Sequence, residues 1–203
     1  MQKNKIEFNG GTHQYFVNGN EFISVTDVFK RAGIDHLKDV PRNVTGPAKE
    51  RGSTVHEIAK LYALRKLDDN SVDPALLGYF NAVVDFFKRE VKKIIAVEER
   101  VASVTMGYAG TLDLVYLNAK RECVLVDYKT AREETATARL QTAAYACAWE
   151  KMNRKKIHLR GTVHLTPLGS YVFEEHKNPI RRDFGDFVTM LKFAKLKQNM
   201  KLK

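Results

Sequence analysis

Around Asn18-Gly19 the chain alternates with a period of two. Tyr15 and Val17 precede the pair and Phe22 to Val25 follow it, which predicts an N-terminal β-hairpin closed by a two-residue turn. Ser24, three residues before Asp27, reads as a capping box opening a short helix that ends near Gly33. Residues 34–46, with Pro41 and Gly46, read as a loop. The period then becomes helical. Helices are predicted over 47–67 and 74–91, the second carrying Leu76, Leu77, Phe80, Val83, Val84 and Phe87 on one face. Three strands follow at 94–105, 110–117 and 122–129, then a helix rich in small residues over 133–152. A strand pair at 157–166 and 170–175 and a helix over 183–197 close the pattern. Three consecutive strands, a helix and further strands point to an α/β domain with a mixed sheet flanked by helices, rather than a doubly wound parallel sheet.

Composition bounds the function more than the fold. At 203 residues one domain is expected, with an N-terminal hairpin and helix over 1–46, a core over 47–175 and a basic helix over 176–203. The net charge of +10 is uneven: residues 151–203 hold 13 basic and 4 acidic side chains, and residues 1–150 hold 21 and 20. A basic C-terminal segment suits a polyanion, or is a solvated helix end. No apolar run reaches membrane-spanning length, and the N-terminus lacks the pattern of a secretory or transit peptide. Cys123 and Cys147 are too few for a disulfide framework, so a reducing, cytoplasmic setting is expected.

The chemistry concentrates in 95–149. Asp113 lies in the second of the three strands between Leu112 and Leu114, where a carboxylate is costly unless paired or metal-bound. Asp127 and Lys129 end the third strand and share a face, with Tyr128 turned to the other. If the two strands are neighbours, Asp113 lies beside Asp127. Two adjacent carboxylates then repel unless a cation sits between them, and Mg²⁺ takes such hard oxygen ligands. His56-Glu57 is half of a zinc-protease pattern, but position 60 is lysine and that reading fails.

Four spacings in this order, Gly52 to His56, Gly110 to Asp113, Asp127 to Lys129 and Gln141 to Tyr145, resemble the PD-(D/E)XK nuclease superfamily. The closest likeness is to its RecB-like branch of phage and mitochondrial-genome-maintenance exonucleases, and it covers about residues 50–150. The opening His13-x-Tyr15, Asn18-Gly19 and Ser24-Val25-Thr26 are similar to short phage-type members. The resemblance implies a restriction-endonuclease-like core and a metal-dependent DNA nuclease, cytoplasmic and phage- or prophage-encoded, acting in phage DNA metabolism or in recombination and repair. It implies Mg²⁺ or Mn²⁺ held by Asp113, Asp127 and the Tyr128 carbonyl, with Lys129 catalytic and His56 beside the metal. A glutamate from the first of the three strands completes the set. Val97, Glu99 and Val101 alternate in phase, which favours Glu99 over Glu98.

Gln141 and Tyr145, one turn apart on a helix, would hold DNA, water or Lys129; Arg51 and Arg139 are either phosphate contacts or solvated charges. Two cysteines cannot hold an iron–sulfur cluster of the kind some members carry, and no P-loop is present. The expected substrate is DNA, as a single strand or a duplex end. A structure-specific endonuclease and a non-catalytic DNA-binding module on the same fold are the alternatives.

Overall fold

In the computed structural model, which describes residues 4–34, 42–130 and 137–200, Asn18 and Gly19 take φ of 50° and 84°. Such left-handed angles close a two-residue turn, joining β2 (Gln14–Val17) to β3 (Asn20–Ser24). An additional strand, β1 (Ile6–Asn9), pairs antiparallel with β2, so the N-terminal hairpin becomes a three-stranded wing. Ser24 ends β3 and caps α1 (Val25–Arg31), its hydroxyl accepting the Asp27 amide at 3.0 Å. Asp27 itself pairs with Lys30.

Helix α2 (Arg42–Ala63) begins five residues before the expected start, with Pro47 inside it. Proline is tolerated best at the first helical position. Here the missing N–H instead removes one bond from a 22-residue helix. The part of the expected loop at 35–41 lies outside the described residues, as does 133–136 of the small-residue helix. The remaining elements fall close to their expected places. They are α3 (Leu77–Glu90), β4 (Lys93–Ser103), β5 (Tyr108–Leu117), β6 (Cys123–Lys129), α4 (Ala138–Asn153), β7 (Leu159–Leu165), β8 (Tyr171–Glu175) and α5 (Ile180–Asn199).

The eight strands form one mixed sheet in the order β1-β2-β3-β5-β6-β7-β8, with β4 on the other edge of β5. One face packs on α1, α4 and α5 through Phe29, Leu140, Trp149, Phe187 and Leu191; the other packs on α2 and α3 through Val55, Ala59, Val83 and Phe86. Burial of each such side chain contributes about 1.5–3 kcal/mol. The fold is the α/β sheet flanked by helices that the pattern predicts, consistent with a restriction-endonuclease-like core. Among the described residues no helix is long and apolar enough to cross a membrane.

The sheet forks at β5. One edge of β5 pairs in parallel with β3 at Tyr108 and Ala109, then antiparallel with β6 from Leu114 to Leu117. Between them, residues 110–113 have no described strand on that edge, because β3 has already turned into α1. A cleft opens at this fork.

Candidate active site

Asp113 lies at the fork, and the β5–β6 register brings it beside Asp127. Leu114 pairs with Val126, and the Tyr128 amide donates to Asp113 Oδ2 at 2.7 Å. Asp127 and Lys129 share a face as their spacing predicts, with Lys129 Nζ 2.7 Å from Asp127 Oδ2. Tyr128 packs into the opposite core. Helix α2 delivers His56, whose Nδ1 stands 3.4 Å from Asp113 Oδ1 and whose Nε2 stands 3.0 Å from the Tyr128 carbonyl. From α4, Gln141 Nε2 donates to Asp127 Oδ1 at 2.9 Å and to Tyr145 Oη at 3.3 Å. Tyr145 reaches this position because residue 110 is glycine; a Cβ there would come within 2.6 Å of the ring. These six side chains line a cleft of about 480 Å³, together with Glu98, Lys49, Ser24 and Thr26.

Charge in the cleft is unbalanced. Burial opposes a charge on His56, but the Asp113 and Asp127 carboxylates outweigh it and push its pKa up to about 9. Burial also opposes the charge of Asp113, yet His56 and the Tyr128 amide hold its pKa below the usual carboxylate range. Asp127 moves the other way: burial and the neighbouring Asp113 raise it against the pull of Lys129. For Lys129, burial is outweighed by Asp127 and the ammonium is held. Glu98 is raised to about 7, first by burial and then by Asp113, despite His56 and Lys60.

Of the two candidate glutamates, Glu98 and not the expected Glu99 lines the cleft. Glu99 faces away from the cleft and accepts Trp149 Nε1 at 2.8 Å. Glu98, His56 and Asp113 instead bring ligand atoms within 4.8 Å of one another. The alternation from Val97 to Val101 breaks at Glu98, whose φ is 47°. Beyond the break Val101 faces the α4 side, whereas Val97 packs on the α2 side. β5 changes phase opposite, with Leu112 and Leu114 in different cores.

Arg139 also lies away from the cleft lining. It pairs with Asp183 and stands 3.6 Å from Asp186, so it serves the α4–α5 packing rather than the cleft. Arg51 is exposed on α2, and Lys49 rather than Arg51 lines the cleft.

Sequence comparison matches residues 29–200, which hold His56, Asp113, Asp127, Lys129, Gln141 and Tyr145 but not the cleft residues of the N-terminal wing, to the PD-(D/E)XK nuclease superfamily. The chain belongs to the PD-(D/E)XK nuclease superfamily. No curated protein matches it significantly. Among chains of known structure, one titled "Crystal structure of SSO0001" aligns over 87% of this chain and 76% of its own at 16% identity, with a TM-score of 0.45.

PD-(D/E)XK nucleases use divalent metals, and the residues here fit one. The nearby donors are two carboxylates and an imidazole. Asp127 Oδ2 is also buried without an aligned hydrogen bond among the described residues, with the Lys129 ammonium 2.7 Å away. Such a donor set, rich in hard oxygen and short of positive charge, suits a divalent cation. His13, Tyr15, Ser24, Thr26 and Thr111 also line the cleft. Of these, the sequence marked His13, Tyr15, Ser24 and Thr26 by motif, without a role.

Proposed function

We propose that this nuclease is a Mg²⁺- or Mn²⁺-dependent deoxyribonuclease of the RecB-like kind. In this reading it acts as an exonuclease in phage DNA metabolism or in recombination and repair, and leaves a 5′-phosphate. The observation that carries the reading is the convergence of Asp113, Asp127 and Lys129 at the sheet fork, with His56 and Glu98 on the same cleft.

Asp113, Glu98 and His56 would hold the divalent ion, with Asp127 and the Tyr128 carbonyl beside them. When bound, the ion supplies an acidified water and offsets charge on the phosphate. Lys129 keeps its ammonium because Asp127 anchors it, and in this reading it orients the attacking water and stabilises the oxygens of the pentavalent phosphorus. Gln141 fixes the other oxygen of Asp127, so the carboxylate does not rotate away from Lys129. Tyr145 buttresses Gln141 through its hydroxyl.

Asp113→Asn and Lys129→Ala are each expected to lower metal-dependent cleavage of DNA by about 10²-fold or more. Undiminished cleavage in both variants would overturn the assignment. An exonuclease leaves a closed single-stranded circle intact while degrading the linear form; nicking of the circle would place the enzyme among the endonucleases.

A further inference from the structure

One wall of the cleft is aromatic and has no part in the metal chemistry. Phe8 on β1, His13 in the β1–β2 turn and Tyr15 on β2 all line it. Their ring centroids lie 4.6 Å apart for Phe8 and Tyr15, and 5.3 Å for Phe8 and His13. The turn that carries them is fixed. Asn9 Oδ1 accepts the amides of Gly11 and Thr12, and His13 is held at a φ of 54° with its side chain in solvent. Tyr15 Oη is 2.9 Å from Thr111 Oγ1, which ties the wall to β5 two residues from Asp113. Phe8 remains partly exposed although it packs on the small core of the wing. A partly exposed phenyl and a solvent-facing imidazole beside a phosphodiester site match the flat, uncharged face of a nucleobase.

We propose that Phe8 and His13, whose rings stand at 90° to each other, form an aromatic wall for one unpaired nucleobase next to the scissile phosphate, the base stacking on one ring with its edge against the other, so that the enzyme selects single-stranded ends. A base inside a duplex is already stacked on its neighbours and cannot use the wall. The inference rests on the nuclease reading above.

The test walks a single abasic position along a single-stranded oligonucleotide and measures kcat/KM with wild type, Phe8→Leu, Phe8→Trp and His13→Ala. One abasic position near the cut is expected to lower wild-type kcat/KM about tenfold. Phe8→Leu keeps apolar bulk without a ring face and should no longer sense that position, while Phe8→Trp should restore the sensitivity. His13→Ala alters an exposed side chain and carries the same comparison if Phe8→Leu unfolds. Equal abasic losses in wild type and variants would overturn the wall. If wild type cleaves nothing with Mg²⁺ or Mn²⁺, the nuclease reading fails instead. Quenching of a 2-aminopurine oligonucleotide on binding then tests the wall alone: quenching lost in Phe8→Leu supports it, and unchanged quenching overturns it.

Discussion

Two clusters of buried charge lie on either side of α4, and they are built to opposite rules. In the first, Arg160 on β7 and Asp183 on α5 are almost wholly buried and pair directly. Arg139 and Asn178 also donate to Asp183. Arg160 donates in addition to the carbonyls of Arg139 and Asn178 and to Thr142 Oγ1. Burial works against the Asp183 carboxylate, but Arg160 overcomes it and lowers its pKa. In the second cluster, at the fork, the carboxylates of Asp113, Asp127 and Glu98 gather about the Lys129 ammonium and the His56 imidazole, and two of them, Asp127 and Glu98, are raised. Charges matched inside the protein hold a fold together. Charges left in excess are held for something that arrives from outside.

The sharpest way to break this comparison is to remove one cation from each cluster. Arg160→Met takes from Asp183 its buried cation, leaving Arg139 and Asn178 on the other oxygen, and is expected to lower stability by about 3–5 kcal/mol in urea unfolding. Lys129→Met is expected to cost less stability, because Asp127 can take up a proton, yet to lower cleavage by about 10²-fold or more. Equal stability losses would erase the distinction.

A smaller effect comes from Gly110→Ala. Its Cβ would displace Tyr145 and with it Gln141, costing about 1–3 kcal/mol and part of the activity. An unchanged melting temperature and rate would show that the Tyr145 contact is dispensable.

The clusters should also differ in pH dependence. Asp183 has a lowered pKa, so its contribution is present above the ordinary carboxylate range and fades as pH falls through and below it. Glu98 has a raised pKa, so the metal-free protein loses stability as pH rises from the ordinary glutamate range through about 7. Tm measured against pH in EDTA should show that falling limb, and Glu98→Gln or added Mg²⁺ should flatten it. A limb unaffected by either would remove Glu98 from the metal site.

The smallest change is expected from Glu99→Gln. It retains an acceptor for Trp149 and should alter stability by no more than about 1 kcal/mol, with cleavage intact. Loss of metal-dependent cleavage in Glu99→Gln but not in Glu98→Gln would reverse the assignment of the two glutamates.

Much of the fork was legible because its chemistry conflicts with its surroundings. Asp113 between two leucines and Asp127 after a valine run stand out in apolar strands, and the spacing of Gly52 to His56 and Gln141 to Tyr145 locates their partners. The choice between Glu98 and Glu99 was not legible from alternation, because a single left-handed residue reverses the strand's phase. β1 escaped because four residues with only Ile6 and Phe8 apolar give too short a period. The Arg160–Asp183 pair carries a signal of its own. Arg160 interrupts an apolar strand as Asp113 does, and Asp183 stands one turn before Phe187 on the buried face of α5. The same cluster explains why Arg139 pairs with α5 and does not line the cleft. The terminal basic helix is also more than a solvated end: Phe187, Leu191 and Ala194 are buried, and Lys195 donates to the Met106 carbonyl at 2.7 Å.

The central claim is that the fork's excess of carboxylate is a divalent-metal site. Crystals grown with Mn²⁺ and measured at its absorption edge test it most directly. The account predicts an anomalous peak about 2.1 Å from oxygens of Asp113 and Glu98, next to His56, that disappears in Asp113→Asn. A fully occupied Mn²⁺ elsewhere with none at the fork, or a peak unchanged in Asp113→Asn, would contradict it.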